Sequence, residues 1–422
     1  MNAWPHANSR SAVVIGAGPV GVCSAIYLQK EGFDVTLVDP RGPGEGCTGG
    51  NTGCFGFGYC APQATPGIVK KVPKMLRDPM HPLKIRYSHA LSALPWFYRF
   101  ARASDPQRVA EISDSMSAIL KKAEECYAPL IEESGASKLV RMKGRVWIYE
   151  SEASLKKARY AHDLCRSHGV IVEELSSSEV VDFVPQLKKP NLRGAYMPGN
   201  GHVTSPLRFV QILAEKFVND GGRILKEEAT DVEKMGDGRS RVSLKSGKSC
   251  ISDSVVIAAG AWSKRLAAKL GDRVPLEAER GYNMVLPNID FELKQPIVLA
   301  DRFVALTSMD DGLRLGGIAE YANIDAKPDY QRAERLFRNA MTLFGDISYK
   351  GSTRGIGPRP AVPDSLPIIG RSSSNPAVLY AFGHGHAGLT LGGITGRLVM
   401  EMAVDRETTI DISPYSPRRF AA

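Results

Sequence analysis

Apolar positions along the chain follow two rhythms, and together they divide it. Unbroken apolar runs of strand length occur in AVVIG, in DVTLVD ending at Asp39, and in SVVIAAG ending at Gly260. Such runs are strands covered on both faces of a sheet. Ser11 to Asp39 therefore reads as strand, tight turn, helix through Leu28 and Lys30, and strand. The same run is too broken for a membrane span, with four glycines between Gly16 and Gly32.

A 3.6-residue rhythm marks helices at Pro106 to Ser134 (Val109, Ile112, Met116, Ile119, Leu120, Ala123), Glu152 to His168, Pro206 to Asn219 and Asp329 to Phe344. GRVWIYE (Gly144 to Glu150) reads as a strand. Tyr282 to Tyr321 carries antiparallel signals, with an Asp310-Asp311-Gly312 turn joining FVALTSM to LRLGGIAEY. The short strands from GGRILKEEATDVEKM to Ser263 are expected to extend the sheet begun at Ser11. The pattern predicts one domain from 1–66, 196–275 and 351–422, and a second, inserted domain from 67–195 and 276–350.

Composition adds little to this, and charge adds more. The 422 residues are 43% hydrophobic and 23% charged, ordinary for a globular protein of two domains. The net charge of +9 suits an anionic cofactor, a carboxylate substrate or an acidic membrane surface. Nucleic acid is not indicated, because no dense Lys/Arg run with interleaved aromatics occurs. Seven cysteines form neither a C-x-x-C pair nor a zinc spacing, so no metal is expected and the thiols suit a reducing cytoplasm. MNAWPHANSR lacks the pattern of a secretory signal. Gly67 to Ser104 mixes Lys, Arg and His with Leu91, Leu94, Trp96, Phe97 and Phe100, a pattern compatible either with an anionic membrane or with packing against the rest of the chain.

Candidate chemistry begins at Gly16, Gly18 and Gly21, spaced G-x-G-x-x-G between strand and helix. There the first glycine permits the turn, the second lets a pyrophosphate approach and the third lets helix and strand pack closely. Asp39, closing the next strand, suits an adenosine ribose without a 2′-phosphate. The loop RGPGEGCTGGNTGCFGFG can set backbone N–H groups, Asn51 and Thr52 against a flat ligand. Gly383, Gly385 and Gly388 repeat the spacing without a following acidic strand, so they suit a helix N-terminus facing developing negative charge. Arg359, between Pro358 and Pro360 in an expected loop, can clamp a carboxylate, or else pair with an acid such as Asp364. His202, in GNGHVTSP, and the pair His384 and His386 are weaker catalytic candidates, because a histidine in a glycine loop is often a hydrogen-bonded spacer.

In this order VVIGAGPVGVCSA with Asp39, GGNTGCFGFGYCAPQATPG, TDVEKM with VVIAAGAWS, LRLGGIAEY, GPRPAVPDSLPIIG and FGHGHAGLT resemble the D-amino-acid oxidase and glycine oxidase superfamily, most closely the bacterial D-amino-acid dehydrogenases. The resemblance implies an α/β fold: a Rossmann-type FAD-binding domain with an inserted α+β substrate domain whose antiparallel sheet is flanked by helices. It implies that Gly16, Gly18, Gly21 and Asp39 hold the ADP half of FAD, with the backbone of Val232 at adenine and Gly260 and Trp262 nearby. Asn51, Thr52 and Gly53 would line the isoalloxazine ring. Gly383, Gly385, Gly388, Leu389 and Thr390 would cover its pyrimidine edge, and Arg359 would grip the substrate carboxylate. The sequence STRGIGPRP departs from the family in lacking an aromatic shortly before the G-x-R-P motif. The implied activity is hydride transfer from a small amino acid, of D configuration or a secondary amine such as D-proline or D-hydroxyproline, giving an imine and then a keto acid and ammonia. A quinone or partner carrier would take the electrons, placing the protein in the cytoplasm or peripherally on the inner membrane face. The alternatives are a glycine- or sarcosine-type oxidase using oxygen and a non-catalytic FAD-binding subunit of an electron-transfer complex.

Overall fold

The computed structural model describes residues 10–78, 81–345 and 347–420; the opening residues in which no secretory signal was found and part of the Gly67–Ser104 segment lie outside them. Among the described residues, Ser11–Ile15, Asp34–Val38, Arg223–Leu225, Ser254–Ile257 and Val378–Phe382 form the parallel part of a sheet whose last strand, Ile368–Arg371, is antiparallel. Ser11–Ile15 lies at its centre, and the helices Pro19–Lys30 and Gly388–Ala403 pack against each other on one face. Ala229–Lys234, Ser240–Leu244 and Ser249–Ser252 do not extend this sheet as expected. They form a separate antiparallel sheet, because ATDVEK alternates exposed and covered positions and could not lie in a sheet buried on both faces.

The second domain is a larger, mostly antiparallel sheet. Its order runs Thr353–Ala361, Glu277–Leu286, Gly312–Tyr321, Val304–Met309, Ile297–Leu299, Arg145–Tyr149, Arg193–Met197 and Glu173–Leu175. Met309 pairs with Gly312 across the expected two-residue turn. Two strands pair across the segments drawn from the sequence. Thr353–Ala361, placed with the FAD-binding segments, hydrogen-bonds along Glu277–Leu286, and Arg193–Met197 straddles the boundary drawn at 196. The helix Pro106–Ser134 packs instead on the first domain, where the Tyr127 hydroxyl donates to Leu389 O at 2.8 Å.

Helix bounds follow local signals. Asp105 caps Pro106–Ser134 by accepting from the amides of Gln107 and Arg108, and Gly135 ends it in the left-handed region. Ser205 caps Pro206–Asn219 in the same way. Among the described residues no helix is long and apolar enough to cross a membrane.

Candidate active site

The dinucleotide end is built by close approach. A Cβ on Gly21 would sit 1.8 Å from Gly16 O, and one on Gly16 would sit 2.5 Å from Ala258 O, so helix and strand meet backbone to backbone. A Cβ on Gly18 would meet nothing within 4 Å. Gly18 is the N-cap of Pro19–Lys30 and that end has no side-chain cap, leaving amides free for a phosphate. Asp39 accepts from the amides of Ala17 and Arg41, both at 2.8 Å, which fixes its carboxylate beside the turn. The Arg41 guanidinium lies 4.6 Å from the centre of the Trp262 ring, and Gly260, with nothing near its Cβ position, opens the short helix holding that ring. These features fit the ADP half of FAD. Val232 fits less simply: its amide donates to Asp231 Oδ1 at 2.9 Å and its side chain packs in the core.

Beyond the turn lies a cavity of about 550 Å³ between the two domains. Asn51 and Thr52 line it, and Asn51 Oδ1 accepts from the Gly53 amide at 2.7 Å. Arg314 straps this loop to the sheet, with Nη1 donating to Gly49 O at 2.8 Å and Asn51 O at 3.0 Å. Gly385 and Thr390 line the other side, the Thr390 hydroxyl accepting from the Gly56 amide at 3.0 Å. Gly383 packs against Val362, Gly388 begins the helix, and Leu389 turns its side chain into the core. From Leu389 only backbone is left for a ligand.

Arg359 is not in a loop. It stands in the edge strand Thr353–Ala361, directly across from Glu279, and Asp364 pairs with Arg419 instead. An edge strand tolerates Pro358 and Pro360 because its nitrogens can face away from the single neighbour. The Arg359 guanidinium lies over Gly281, where a Cβ would be 2.2 Å from Nη2. Nη1 donates to Glu279 Oε1 at 2.8 Å and Ile318 O at 2.9 Å, while Nη2 makes only a 3.5 Å contact to Gly317 O. The fork thus has one edge anchored and the other turned to the cavity. His386 Nε2 meets Glu279 Oε1 at 2.7 Å and Tyr321 donates to Oε2 at 3.3 Å. Burial pushes the Glu279 carboxyl up, but the charges and hydrogen bonds of His386 and Arg359 prevail and hold it down at about 2.

The other histidines part company. His384 lines the cavity, is held at 3.0 Å from the Thr395 hydroxyl, and burial pushes it down to about 3. His202 lies outside the cavity lining, in the strand Gly201–Val203 across from Cys54. Burial, aided by Arg141, pushes it down to about 4, and the side chain is packed in a strand where an open loop was expected. Sequence reasoning missed Glu279, Arg314 and Arg145. The signal for the first was charge at Glu277, Glu279 and Arg280 in a strand that is otherwise apolar.

A glycine-turned helix N-terminus together with a cavity lined by an anchored arginine suits a flavin-dependent oxidoreductase. The chain belongs to the DAO family of FAD-dependent oxidoreductases, which it matches from residue 11 to 402. It is 34% identical to a D-amino-acid oxidase of Bradyrhizobium diazoefficiens over 97% of this chain and 99% of that one. A D-amino acid dehydrogenase of Rhizobium johnstonii is 29% identical over the same shares. Among solved structures, glycine oxidase from Geobacillus kaustophilus shares the fold with a TM-score of 0.74 at 20% identity, covering 97% of this chain and 99% of its own.

Proposed function

We propose that the protein oxidises the amine of a small amino acid, of D configuration or a cyclic relative such as D-proline or D-hydroxyproline, and passes the electrons to a membrane quinone or partner carrier. The observation that carries this reading is Arg359, anchored on one edge by Glu279 and Ile318 O and turned on the other into the cavity. That edge can take a carboxylate with two hydrogen bonds and so fix where Cα lies. FAD supplies the two-electron acceptor for the hydride leaving Cα. The cationic surplus of the cavity disfavours an ammonium, so the substrate amine is held neutral and its lone pair can form the imine. The imine then takes up water to give a keto acid and ammonia, or stays cyclic for a proline. Gly16, Gly18, Gly21 and Asp39 bind the ADP half of FAD in this reading, and Asn51, Thr52, Gly53, Gly385 and Thr390 its ring.

The acceptor is argued from the surface. Tyr87, Leu91, Leu94 and Tyr98 recur at helical spacing on Tyr87–Ala103 and are 98%, 82%, 56% and 65% exposed. The helix Ile68–Arg77, which precedes Tyr87–Ala103 in the chain, buries no residue and carries Lys70, Lys71, Lys74 and Arg77. Trp96, by contrast, is packed into the protein. An exposed apolar stripe and a basic exposed helix suit the anionic inner face of a membrane, where quinone is dissolved. The protein is expected to sediment with vesicles containing anionic lipid, less with zwitterionic ones, and Leu91→Glu with Leu94→Glu is expected to release it. Equal recovery in the supernatant with both lipids would remove this support.

Oxygen is the second reading for the acceptor, favoured by the name of the Bradyrhizobium relative. The deciding experiment is anaerobic bleaching of the holoenzyme's flavin absorbance with D- and L-amino acids, both hydroxyprolines, glycine and sarcosine. A D-amino acid or D-proline type is expected to bleach it. Reoxidation by a quinone analogue without peroxide supports the dehydrogenase, and stoichiometric peroxide in air would replace it with the oxidase. If no amine bleaches bound FAD, the catalytic reading fails in favour of an electron-transfer subunit.

A further inference from the structure

Arg145 opens the strand Arg145–Tyr149 and lines the same cavity as Arg359. Its guanidinium lies 4.6 Å from the centre of the Trp147 ring, and Trp147 stacks on Tyr59 at 5.5 Å with an interplanar angle of 16°. Among the described residues the Arg145 side chain forms no hydrogen bond or ion pair, and its Nε is buried without an acceptor. The other basic side chains near the cavity differ. Arg359 and His386 share Glu279, and Arg314 is bonded to Asp311 and to loop carbonyls. A guanidinium is always charged, and leaving one without an acceptor in a partly dry site is costly unless a ligand completes it. The Trp147 ring offers the guanidinium a cation–π contact but no hydrogen-bond acceptor in its plane.

We propose that Arg145 is a second anion subsite that binds a side-chain carboxylate, so that the enzyme acts on acidic amino acids of glutamate length or longer. The proposal rests on Arg359 holding the α-carboxylate, and it narrows the substrate class of that reading. Arg359 reaches across Gly281 to carbonyls of Gly312–Tyr321. From that strand the sheet order passes Val304–Met309 and Ile297–Leu299 to reach Arg145–Tyr149. Arg359 lies over Gly281 and bonds to the next strand, so three to four steps of about 4.8 Å put the two guanidinium groups roughly 14 to 19 Å apart along the sheet. One carboxylate cannot span that. With each ion pair taking up to about 4 Å, roughly 6 to 11 Å remains between two carboxylates. A chain of four or five bonds is the shortest that reaches.

The test uses holoenzyme and two readouts. Glutarate and butyrate, neither of which can be oxidised as an amine, are titrated while the flavin absorbance is followed. Anaerobic flavin reduction is then compared for both enantiomers of glutamate, glutamine, alanine and proline. Glutarate is expected to bind at least about 10-fold tighter than butyrate, as one charged hydrogen-bonded contact should give. Acidic amino acids are expected to reduce the flavin at lower concentration than neutral ones. In Arg145→Gln the acidic-to-neutral ratio should collapse by a similar factor, with Arg145→Lys between the two. Equal binding of glutarate and butyrate, or a ratio unchanged in Arg145→Gln, overturns the subsite. If glutarate is preferred but no amino acid reduces the flavin, the subsite stands and amine oxidation falls. If neutral amino acids reduce it and acidic ones do not, amine oxidation stands and the subsite falls.

Discussion

Arg359→Met is expected to cut flavin reduction per bound substrate and substrate affinity together by about 2 to 5 kcal/mol, while FAD stays bound. The loss has two sources. The free edge of the fork no longer takes the substrate carboxylate, a contact present in both ground and transition states, so most of the deficit should appear in the substrate dissociation constant. The remainder should appear in the reduction rate, because a carboxylate that is not clamped lets Cα drift from its reacting position. Glu279 keeps His386 and Tyr321 as partners in the variant, so its charge is not stranded. Arg359→Lys restores charge without the fork and should recover only part of the affinity. Rapid-mixing reduction under anaerobic conditions measures both parameters. An Arg359→Met protein that is reduced like the parent, at the same half-saturating concentration, would remove Arg359 from the site.

What the sequence could and could not reveal follows from how local each feature is. Pro106–Ser134 and Pro206–Asn219 begin and end at the residues read from the sequence, because a capping side chain, a proline in the first turn or a left-handed glycine sits within a few residues of each end. The glycine turn is equally local: Gly16 and Gly21 meet across one turn of chain. Arg359 was legible as a residue but not as a position. Flanking prolines read as a loop, whereas edge-strand geometry depends on having Glu277–Leu286 as neighbour, some 80 residues away in sequence. Its partnership with Glu279 belongs to the same long-range register and has no local signature. The position of His202 was misread for the converse reason. Glycines around it suggested an open loop, and pairing with Cys54–Phe55 and Val140–Arg141 closed it into a buried strand. The separate sheet at Ala229–Ser252 was readable in principle, since its half-exposed alternation contrasts with the all-apolar strands of the parallel sheet.

Loss of folding stability between pH 6.5 and 4 is expected to be steep, and three buried histidines account for it. His162, held at 3.0 Å from the Tyr149 hydroxyl, is pushed down to about 4 by burial and the nearby Arg166 charge. His202 is pushed down to about 4 and His384 to about 3. Each stays neutral in the folded protein below pH 6.5, where the unfolded chain takes up a proton at about 6.5. The stability they contribute is therefore fully present above pH 6.5 and is lost as pH falls toward their folded values. With three such groups the slope approaches about 4 kcal/mol per pH unit, and by pH 5 about 6 kcal/mol is gone, comparable to the whole stability of many domains. Glu279 works in a lower window: depressed to about 2, it contributes above about 4.5 and fades only as pH falls toward 2. The two windows barely overlap, so urea midpoints of holoenzyme at pH 7, 6 and 5 report chiefly the histidines. His384→Asn should flatten the pH dependence by about a third, even if it lowers the midpoint at pH 7. A midpoint that does not move between pH 7 and 5 would mean that these histidines are protonated in the folded protein.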